Sequence, residues 1–149
     1  MNLVVLADDQ FREELLEHGL ENTTIVNWLK DVDDVTNFPA ADAYIDLLFD
    51  NDSHRIKLLQ KFESGIVIVN SVITTLKSLP RNFTRANGWP TFLKRSIIEV
   101  SCNEENMKRK AEEIFSCFHK KAEWVPDVPG FITLRVVAAI VNEAYFGLE

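Results

Sequence analysis

Residues 2–19, NLVVLADDQFREELLEHG, open the chain with an apolar run that leads at once into a helical pattern. Residues 3–6 are all Leu or Val, which predicts a strand buried on both of its faces. From about residue 10 to 18, apolar residues recur at helical spacing among charged ones, which predicts an amphipathic helix. A buried strand followed directly by a helix is the repeating unit of a parallel α/β sheet.

The rest of the chain continues this alternation. Short runs rich in Val and Ile predict the strands, and periodic apolar residues predict the helices. The predicted strands are 3–6, 24–28, 43–49, 66–70, 85–88, 97–101 and 122–125, and the predicted helices are 10–18, 54–62, 103–118 and 130–147. Asn103 is expected to cap the third helix. The pattern indicates an α/β fold with a mainly parallel sheet, flanking helices and one long apolar C-terminal helix.

Composition narrows the classes of function. With 149 residues the chain is expected to form one main domain, and 16 basic against 23 acidic residues give a net charge of −7. This balance argues against nucleic acid or an anionic membrane as a partner. No apolar run is long enough to span a membrane and no signal peptide is recognisable, so we expect a cytoplasmic protein. Cys102 and Cys117 fit a reducing compartment and lack the spacing of a metal site.

The C-terminal segment 125–149, VPDVPGFITLRVVAAIVNEAYFGLE, predicts a helix that is apolar nearly all round. Such a helix needs cover on several sides, and the sequence has nothing after it to provide that cover. Either the sheet covers one face and a partner subunit another, or the helix packs closely within a monomer. We expect a homodimer through this helix, with Val136, Ile140 and Tyr145 in an intersubunit or core contact.

Four segments together resemble the 3-hydroxyacyl-CoA dehydrogenases. They are ADAYIDLLFDND (41–52), IVIVNSVITTL (66–76), RANGWPTFLKRSIIEVS (85–101) and WVPDVPGFITLRVVAAIVNEAYFGL (124–148). That family joins an N-terminal Rossmann domain to a C-terminal helical dimerisation domain. The resemblance implies a Rossmann-like domain over residues 1–128, and a remnant of the helical dimerisation domain over residues 129–149.

The resemblance also implies positions for a catalytic site. In the family, NAD takes a hydride from C3 of an acyl chain, a histidine removes the hydroxyl proton, a glutamate orients that histidine, and a serine and an asparagine bind the substrate oxygen. Glu99 matches the glutamate, but Asn87 stands in the histidine position, Val72 in the serine position and Leu134 in the asparagine position. Ser71 lies one residue from Val72 and could partly substitute. An amide cannot accept the proton near neutral pH, and Glu99 has a simpler interpretation as a hydrogen-bonded carboxylate at a strand end.

The cofactor site also lacks residues that the family uses. A phosphate-binding turn needs glycines so that the backbone can approach the pyrophosphate, and the first strand–helix junction has none. Ala7, Asp9 and Arg12 occupy the three glycine positions, while Asn27 or Trp28 stands where an acid would bind the ribose. Asp9 adds negative charge beside the phosphates, and Arg12 is expected to pair with a neighbouring acid. We therefore expect no cofactor, with NAD as the alternative if the site is active.

The three histidines add no catalytic base. His18, His54 and His119 all fall at predicted helix ends, where a surface position is the simpler interpretation. The sequence contains neither a nucleophile elbow nor a zinc motif, so no metal is expected.

Three functions stay open at this point. The first is a degenerate dehydrogenase-like domain that acts as a dimeric binding or regulatory module. The second is an active short-form 3-hydroxyacyl-CoA dehydrogenase, an oxidoreductase of fatty-acid metabolism, that uses Glu99, Asn87 and Ser71. The third is a small-molecule or acyl-CoA binding protein with a cleft beside Asn87, Trp89 and Phe92, because open α/β sheets bind ligands at the carboxyl ends of their strands.

Overall fold

A computed structural model describes residues 1–62 and 65–147. The chain alternates strands with helices along most of its length, as the apolar runs predict. The strands are β1 Asn2–Leu6, β2 Ile25–Leu29, β3 Ala43–Asp46, β4 Ile66–Asn70, β5 Phe83–Ala86, β6 Ile97–Ser101 and β7 Lys121–Trp124. The helices are α1 Asp9–Leu15, α2 Ser53–Leu59, α3 Glu105–Cys117 and α4 Thr133–Phe146, with short 3₁₀ helices at Val32–Asn37, Leu76–Ser78 and Phe92–Lys94.

The strands form one sheet of seven in the order β2-β1-β3-β4-β5-β6-β7. Strands β1 to β5 are mutually parallel, β6 runs antiparallel to β5, and β7 is parallel to β6. The predicted α/β class with a mainly parallel sheet is therefore confirmed. The carboxyl ends of the five parallel strands share one edge, which is where such sheets hold ligands.

Hydrophobic layers cover both faces of the sheet. In β1, Leu3 and Val5 point to the layer formed with α1 and α3, whereas Val4 and Leu6 point to the layer formed with α2 and the first 3₁₀ helix. All four side chains are fully buried. Burial on both faces explains why this strand is a continuous apolar run and does not alternate with polar residues.

Two strand predictions were displaced. Strand β3 ends at Asp46, three residues before the predicted end, because the Asp46 carboxylate accepts a hydrogen bond from the Leu48 amide (3.0 Å) and turns the chain. Strand β5 begins at Phe83, two residues before the predicted start, and stops at Ala86. Its polar residues Thr84 and Arg85 are fully buried, so hydropathy did not indicate where the strand begins.

Several helix ends also differ from prediction. Helix α1 stops at Leu15, so His18 lies beyond it, in the turn that Gly19 completes at φ +92°. The predicted cap Asn103 lies outside α3. The N-cap is Glu104, which makes no capping side-chain bond and pairs with Arg81 at 2.9 Å.

Helix α4 contacts the rest of the described chain only near its first turn, where Thr133 bonds to Glu99 and Leu134 is half-buried. None of its residues is buried, and after Leu134 its large apolar side chains are 45–68% exposed, including Val136, Ile140 and Tyr145. The predicted core contact for these three residues is therefore wrong, as is the alternative of a closely packed monomer, and cover by a partner subunit stays a prediction. Leu148 lies outside the described residues. No helix in the described ranges combines the length and apolarity needed to cross a membrane.

Candidate functional site

The carboxyl ends of β3, β4 and β5 are joined by the side chain of Asn70. Its amide nitrogen donates to the Leu47 and Gly88 carbonyls, each at 3.1 Å, and its oxygen accepts from the Gly88 amide at 3.0 Å. One amide side chain thus fixes three neighbouring loops. These loops form the edge of the sheet at which the sequence places a ligand site.

Gly88 is needed for this arrangement because there is no room for a side chain. A Cβ at position 88 would lie 2.6 Å from Cγ of Asn70. We expect Gly88→Ala to displace the Asn70 amide and to lower the free energy of unfolding by about 1–3 kcal/mol. Chemical denaturation measures this loss. Gly147→Ala is the matched control, since its nearest contact is 3.4 Å, and an equal loss in both variants would contradict the explanation.

Asn87 and Glu99 are directly bonded to each other. The Asn87 amide nitrogen donates to Oε2 of Glu99 at 2.8 Å, and the Asn87 backbone N–H donates to the Glu99 carbonyl at 2.9 Å. The other Glu99 oxygen accepts from both the backbone N–H (2.9 Å) and the hydroxyl (2.8 Å) of Thr133. Glu99 therefore anchors the first residue of α4 to the loop after β5.

This geometry limits what Asn87 can do. The side chain is 2% exposed, and its oxygen accepts from the Trp89 amide at 3.3 Å. Both ends of the amide are thus engaged within the protein, and an amide has no proton-accepting nitrogen. The pair forms a structural link between a loop and a helix.

Ser71 is turned inward. Its hydroxyl donates to the Thr74 carbonyl at 2.8 Å and the residue is 5% exposed. The neighbouring Val72 uses its carbonyl to accept from Gly130 N–H at 2.8 Å. Ser71 therefore closes its own loop.

Arg85 organises this region, although the sequence analysis gave it no role. The side chain is fully buried and donates to the Ser71 and Val72 carbonyls at 2.9 and 3.0 Å. It forms an ion pair with Asp127, and its guanidinium lies 4.5 Å from the centre of the Phe131 ring. Arg85 thereby ties the loop after β4 to the segment that leads into α4. A charged residue inside an apolar run is the signal that points to such a role.

A cleft of about 300 Å³ opens between the loops after β3, β4 and β5. Its wall includes Phe49, Asp50, Ser71, Ile73 and Trp89. Trp89 is 47% exposed, so a ligand in the cleft could cover its side chain. Of the three residues predicted beside a cleft, the structure places Trp89 in the wall, whereas Asn87 and Phe92 lie outside the lining.

A carboxylate of the protein itself, that of Asp8, lies at the β1–α1 junction. Asp8 is the N-cap of α1, and its carboxylate accepts from the Phe11 amide at 2.8 Å. A carboxylate at this end of a helix satisfies free amides and interacts well with the helix dipole. Asp9 begins the helix and pairs with Lys30 at 3.2 Å in solvent. The Asp8 carboxylate thus occupies one of the amides at the start of α1, that of Phe11.

The other two residues of this turn have partners within the protein. Ala7 is buried, and its amide donates to the Leu29 carbonyl at 3.0 Å. Arg12 lies over the Trp28 ring, 5.0 Å from its centre. The predicted pairing of Arg12 with a neighbouring acid is therefore wrong, because the aromatic face of β2 offers the cation a closer partner.

Helix α1 also holds the loop above the sheet. Glu14 is 1% exposed, and both of its carboxylate oxygens accept from the Thr91 amide at 3.0 Å. Thr91 has φ +76°, an unfavourable conformation for a β-branched residue. The Glu14 carboxylate stabilises this turn, and with it the position of the neighbouring Trp89.

Comparison with known proteins gives matches among solved structures. No protein-family model matches the sequence, and no curated protein matches it at a significant level. (S)-3-hydroxybutyryl-CoA dehydrogenase PaaH1 from Ralstonia eutropha superposes with a TM-score of 0.72 at 12% identity, over 99% of this chain and 72% of that one. FadB2 from M. tuberculosis gives 0.69 at 10%, over 99% and 72%. The 3-hydroxyacyl-CoA dehydrogenase of Archaeoglobus fulgidus gives 0.66 at 11%, over 99% and 64%.

The chain has a 3-hydroxyacyl-CoA dehydrogenase-like Rossmann fold. This confirms the resemblance at the level of the fold. At 10–12% identity the likeness carries no conclusion about activity. Within this 3-hydroxyacyl-CoA dehydrogenase-like fold, the Asn87–Glu99 hydrogen bond joins the two positions that the resemblance assigns to the catalytic histidine and glutamate.

Proposed function

We propose that this protein is a 3-hydroxyacyl-CoA dehydrogenase-like binding or regulatory module that is dimeric and has no NAD-dependent activity. The observation that carries the proposal is the Asp8 carboxylate on the Phe11 amide at the start of α1. In a Rossmann fold this helix start receives the pyrophosphate of the dinucleotide. Here the residues do not fit that group.

Electrostatics reinforces the poor fit. A pyrophosphate at the start of α1 would meet the negative charges of both Asp8 and Asp9. Two like charges about 4 Å apart repel by about 4 kcal/mol at an effective dielectric constant of 20. Lys30 is bound to Asp9, so it offsets that charge and leaves Asp8 unopposed.

The site around Asn87 supports the loss of catalysis independently. Oxidation of a hydroxyl requires a group that takes the hydroxyl proton while the hydride leaves. Asn87 cannot take it, and the Glu99 oxygens are bonded to Asn87 and Thr133. The carboxylate therefore serves to position α4.

The exposure of α4 supports the dimeric part of the proposal. Val137, Ile140, Val141 and Tyr145 are each 45% or more exposed along this helix. A contiguous apolar surface of this kind marks an interaction site. A second copy of the chain is the partner we propose.

Ligand-dependent thermal stability tests the proposal. A ligand at a hundredfold excess over its dissociation constant stabilises a protein by about 2.7 kcal/mol. We expect millimolar NAD or NADH to leave the melting temperature unchanged, and we expect no oxidation of NADH in the presence of acetoacetyl-CoA. The matched control is the Asp8→Asn, Asp9→Asn double variant, which keeps side-chain size and removes both charges. Stabilisation of the wild-type protein by NADH, or turnover of acetoacetyl-CoA, would contradict the proposal.

A small-molecule or acyl-CoA binding function is a second candidate. It is favoured by the cleft of about 300 Å³ at the carboxyl ends of the strands, with Trp89 exposed in its wall. Stabilisation by an acyl-CoA without any response to NADH would support this function. Trp89→Ala should then abolish the response.

A further inference from the structure

The cleft at the carboxyl ends of β3, β4 and β5 is lined by two aromatic side chains and one acid. Phe49 and Trp89 supply the aromatic rings, and Asp50 is the one charged residue among the described residues of the lining. No basic residue of that lining offsets the carboxylate. This composition favours a ligand that carries a positive charge.

The Asp50 carboxylate is only partly neutralised within the protein. Its Oδ1 atom accepts a hydrogen bond from the Asp52 amide at 3.1 Å and lies 3.4 Å from Nε of Arg55. Arg55 also donates two hydrogen bonds to the buried Asp46, at 2.7 and 2.8 Å, so two carboxylates share one guanidinium. Among the described residues, Oδ2 of Asp50 has no partner, and the side chain is 64% exposed. Asp50 can therefore still attract a cation from solvent.

The surroundings of the cleft are also negative. Asp8 follows β1, Asp52 caps the helix after β3, and Glu99 is bonded to the residue that follows β5. None of these three acids has a basic side chain within 4.0 Å among the described residues. An excess of one charge at a cleft attracts ligands of the opposite charge. This edge of the sheet therefore opposes the anionic phosphates of an acyl-CoA and favours a cation.

Trp89 provides an aromatic face for such a cation. The ring of tryptophan attracts ammonium groups more strongly than other aromatic rings do, when the cation lies within about 6 Å of the ring centre. The Trp89 backbone N–H donates to Oδ1 of Asn87 at 3.3 Å, and its carbonyl accepts from the Phe92 amide at 2.8 Å. The loop is therefore held in place on both sides of Trp89 before any ligand binds.

We propose that the cleft binds a small organic ammonium ion, held between the Trp89 ring and the Asp50 carboxylate. The proposal rests on the small-molecule binding function above and names its ligand class. Asp50 follows β3 and Trp89 follows β5, so β4 separates their loops by two strand spacings, or about 10 Å. A space of that width accommodates a methylated ammonium group between the two side chains. A volume of about 300 Å³ lies at the lower end of the range for ligand sites, which suits a small molecule.

Calorimetric titration of the full chain with choline tests the proposal. The matched control ligand is neohexanol, in which carbon replaces the charged nitrogen of choline. We expect choline to bind with a roughly millimolar dissociation constant, because a ligand of few atoms makes few contacts. We expect neohexanol to bind about tenfold more weakly or not at all, because it lacks the charge that the indole and the carboxylate attract. Equal affinity for the two ligands would overturn the ammonium site.

Two variants test where choline binds. Trp89→Leu keeps an apolar side chain without the indole and should weaken choline binding about tenfold or more. Asp50→Asn keeps the size without the charge and should weaken it about threefold or more. Asp34→Asn, at an exposed acid on the first 3₁₀ helix, is the matched control and should leave the affinity unchanged. Since Trp89 and Asp50 are exposed, thermal melts should show that both variants are folded.

The possible outcomes separate this proposal from the function on which it rests. Binding of an acyl-CoA without binding of choline would overturn the ammonium site and leave the small-molecule function standing. Choline binding that neither Trp89→Leu nor Asp50→Asn weakens would overturn the cleft as its site. No binding of either ligand would overturn both the ammonium site and the small-molecule function.

Discussion

Arg85→Met is expected to lower the free energy of unfolding by about 3–5 kcal/mol, the usual cost of breaking a buried ion pair by removing one partner. Arg85 is fully buried and bonds to Asp127, to the Ser71 carbonyl and to the Val72 carbonyl. Methionine fills similar space but donates no hydrogen bonds. The variant removes the Arg85 donor from two loop carbonyls and from the partly buried Asp127 carboxylate, which keeps only the Leu76 amide.

Urea denaturation measures the effect, and Arg109→Met is the matched control. Arg109 pairs with Glu113 at 3.5 Å on the surface, with its side chain 84% exposed, so its removal should change stability by no more than about 0.5 kcal/mol. Arg85→Met should also loosen α4, because Asp127 and Phe131 precede that helix. A loss below about 1 kcal/mol would show that Arg85 does not hold this region together.

Asp46 is expected to give the protein a distinct pH dependence of stability. The carboxyl is fully buried at the end of β3 and receives two hydrogen bonds from Arg55, at 2.7 and 2.8 Å. Burial raises the pKa of Asp46 from 3.8 to about 6, even though the Arg55 guanidinium acts to lower it. The folded protein therefore holds this proton more tightly than the unfolded chain does.

The direction of the pH dependence follows from this difference in pKa between the folded protein and the unfolded chain. The stability contributed by protonated Asp46 is fully present below pH 3.8 and is lost as the pH rises to about 6. A shift of this size corresponds to about 3 kcal/mol. Subtracting the unfolding free energy of Asp46→Asn from that of the wild type at each pH isolates this contribution. We expect the difference to fall by about 2 kcal/mol between pH 4 and 6, with the remainder of the fall on either side of that range, and to be flat above pH 7.

Asp52 supplies a control of opposite sign. Its carboxylate accepts from the His54 and Arg55 amides at the start of α2, which lowers its pKa. The stability it contributes is present at neutral pH and is lost as the pH falls through its lowered pKa. The Asp52→Asn difference curve should therefore rise with pH below 3.8 and be nearly flat over the range in which the Asp46 curve falls. Parallel curves would contradict the burial of Asp46.

The parts of the fold that depend on local pattern could be predicted. Strands β4 and β6 have the predicted bounds, since their apolar runs are continuous or bounded by clear turns. Strand β5 was predicted two residues late because Thr84 is polar and yet fully buried, and the adjacent Arg85 is buried through an ion pair with Asp127, 42 residues away. Sequence patterns cannot reveal a partner at that distance along the chain.

In the candidate site, too, some features could be predicted from the sequence and others could not. The sequence showed both the lack of glycine and the extra acid at the β1–α1 junction. Asp8, which caps α1, lies one residue before Asp9, the position that the sequence analysis identified. The link from Glu14 to Thr91 spans 77 residues and could not be foreseen. Nor could the stacking of Arg12 on Trp28, because it depends on the register between α1 and β2.

A crystal structure of the protein grown with millimolar NAD would test the central claim most directly, because the β1–α1 junction either binds a pyrophosphate or does not. We expect the Asp8 carboxylate to keep its 2.8 Å bond to the Phe11 amide, and we expect no diphosphate density at the start of α1. An NAD diphosphate bound to the backbone amides of residues 7–12, with Asp8 displaced, would contradict the proposed loss of dinucleotide binding.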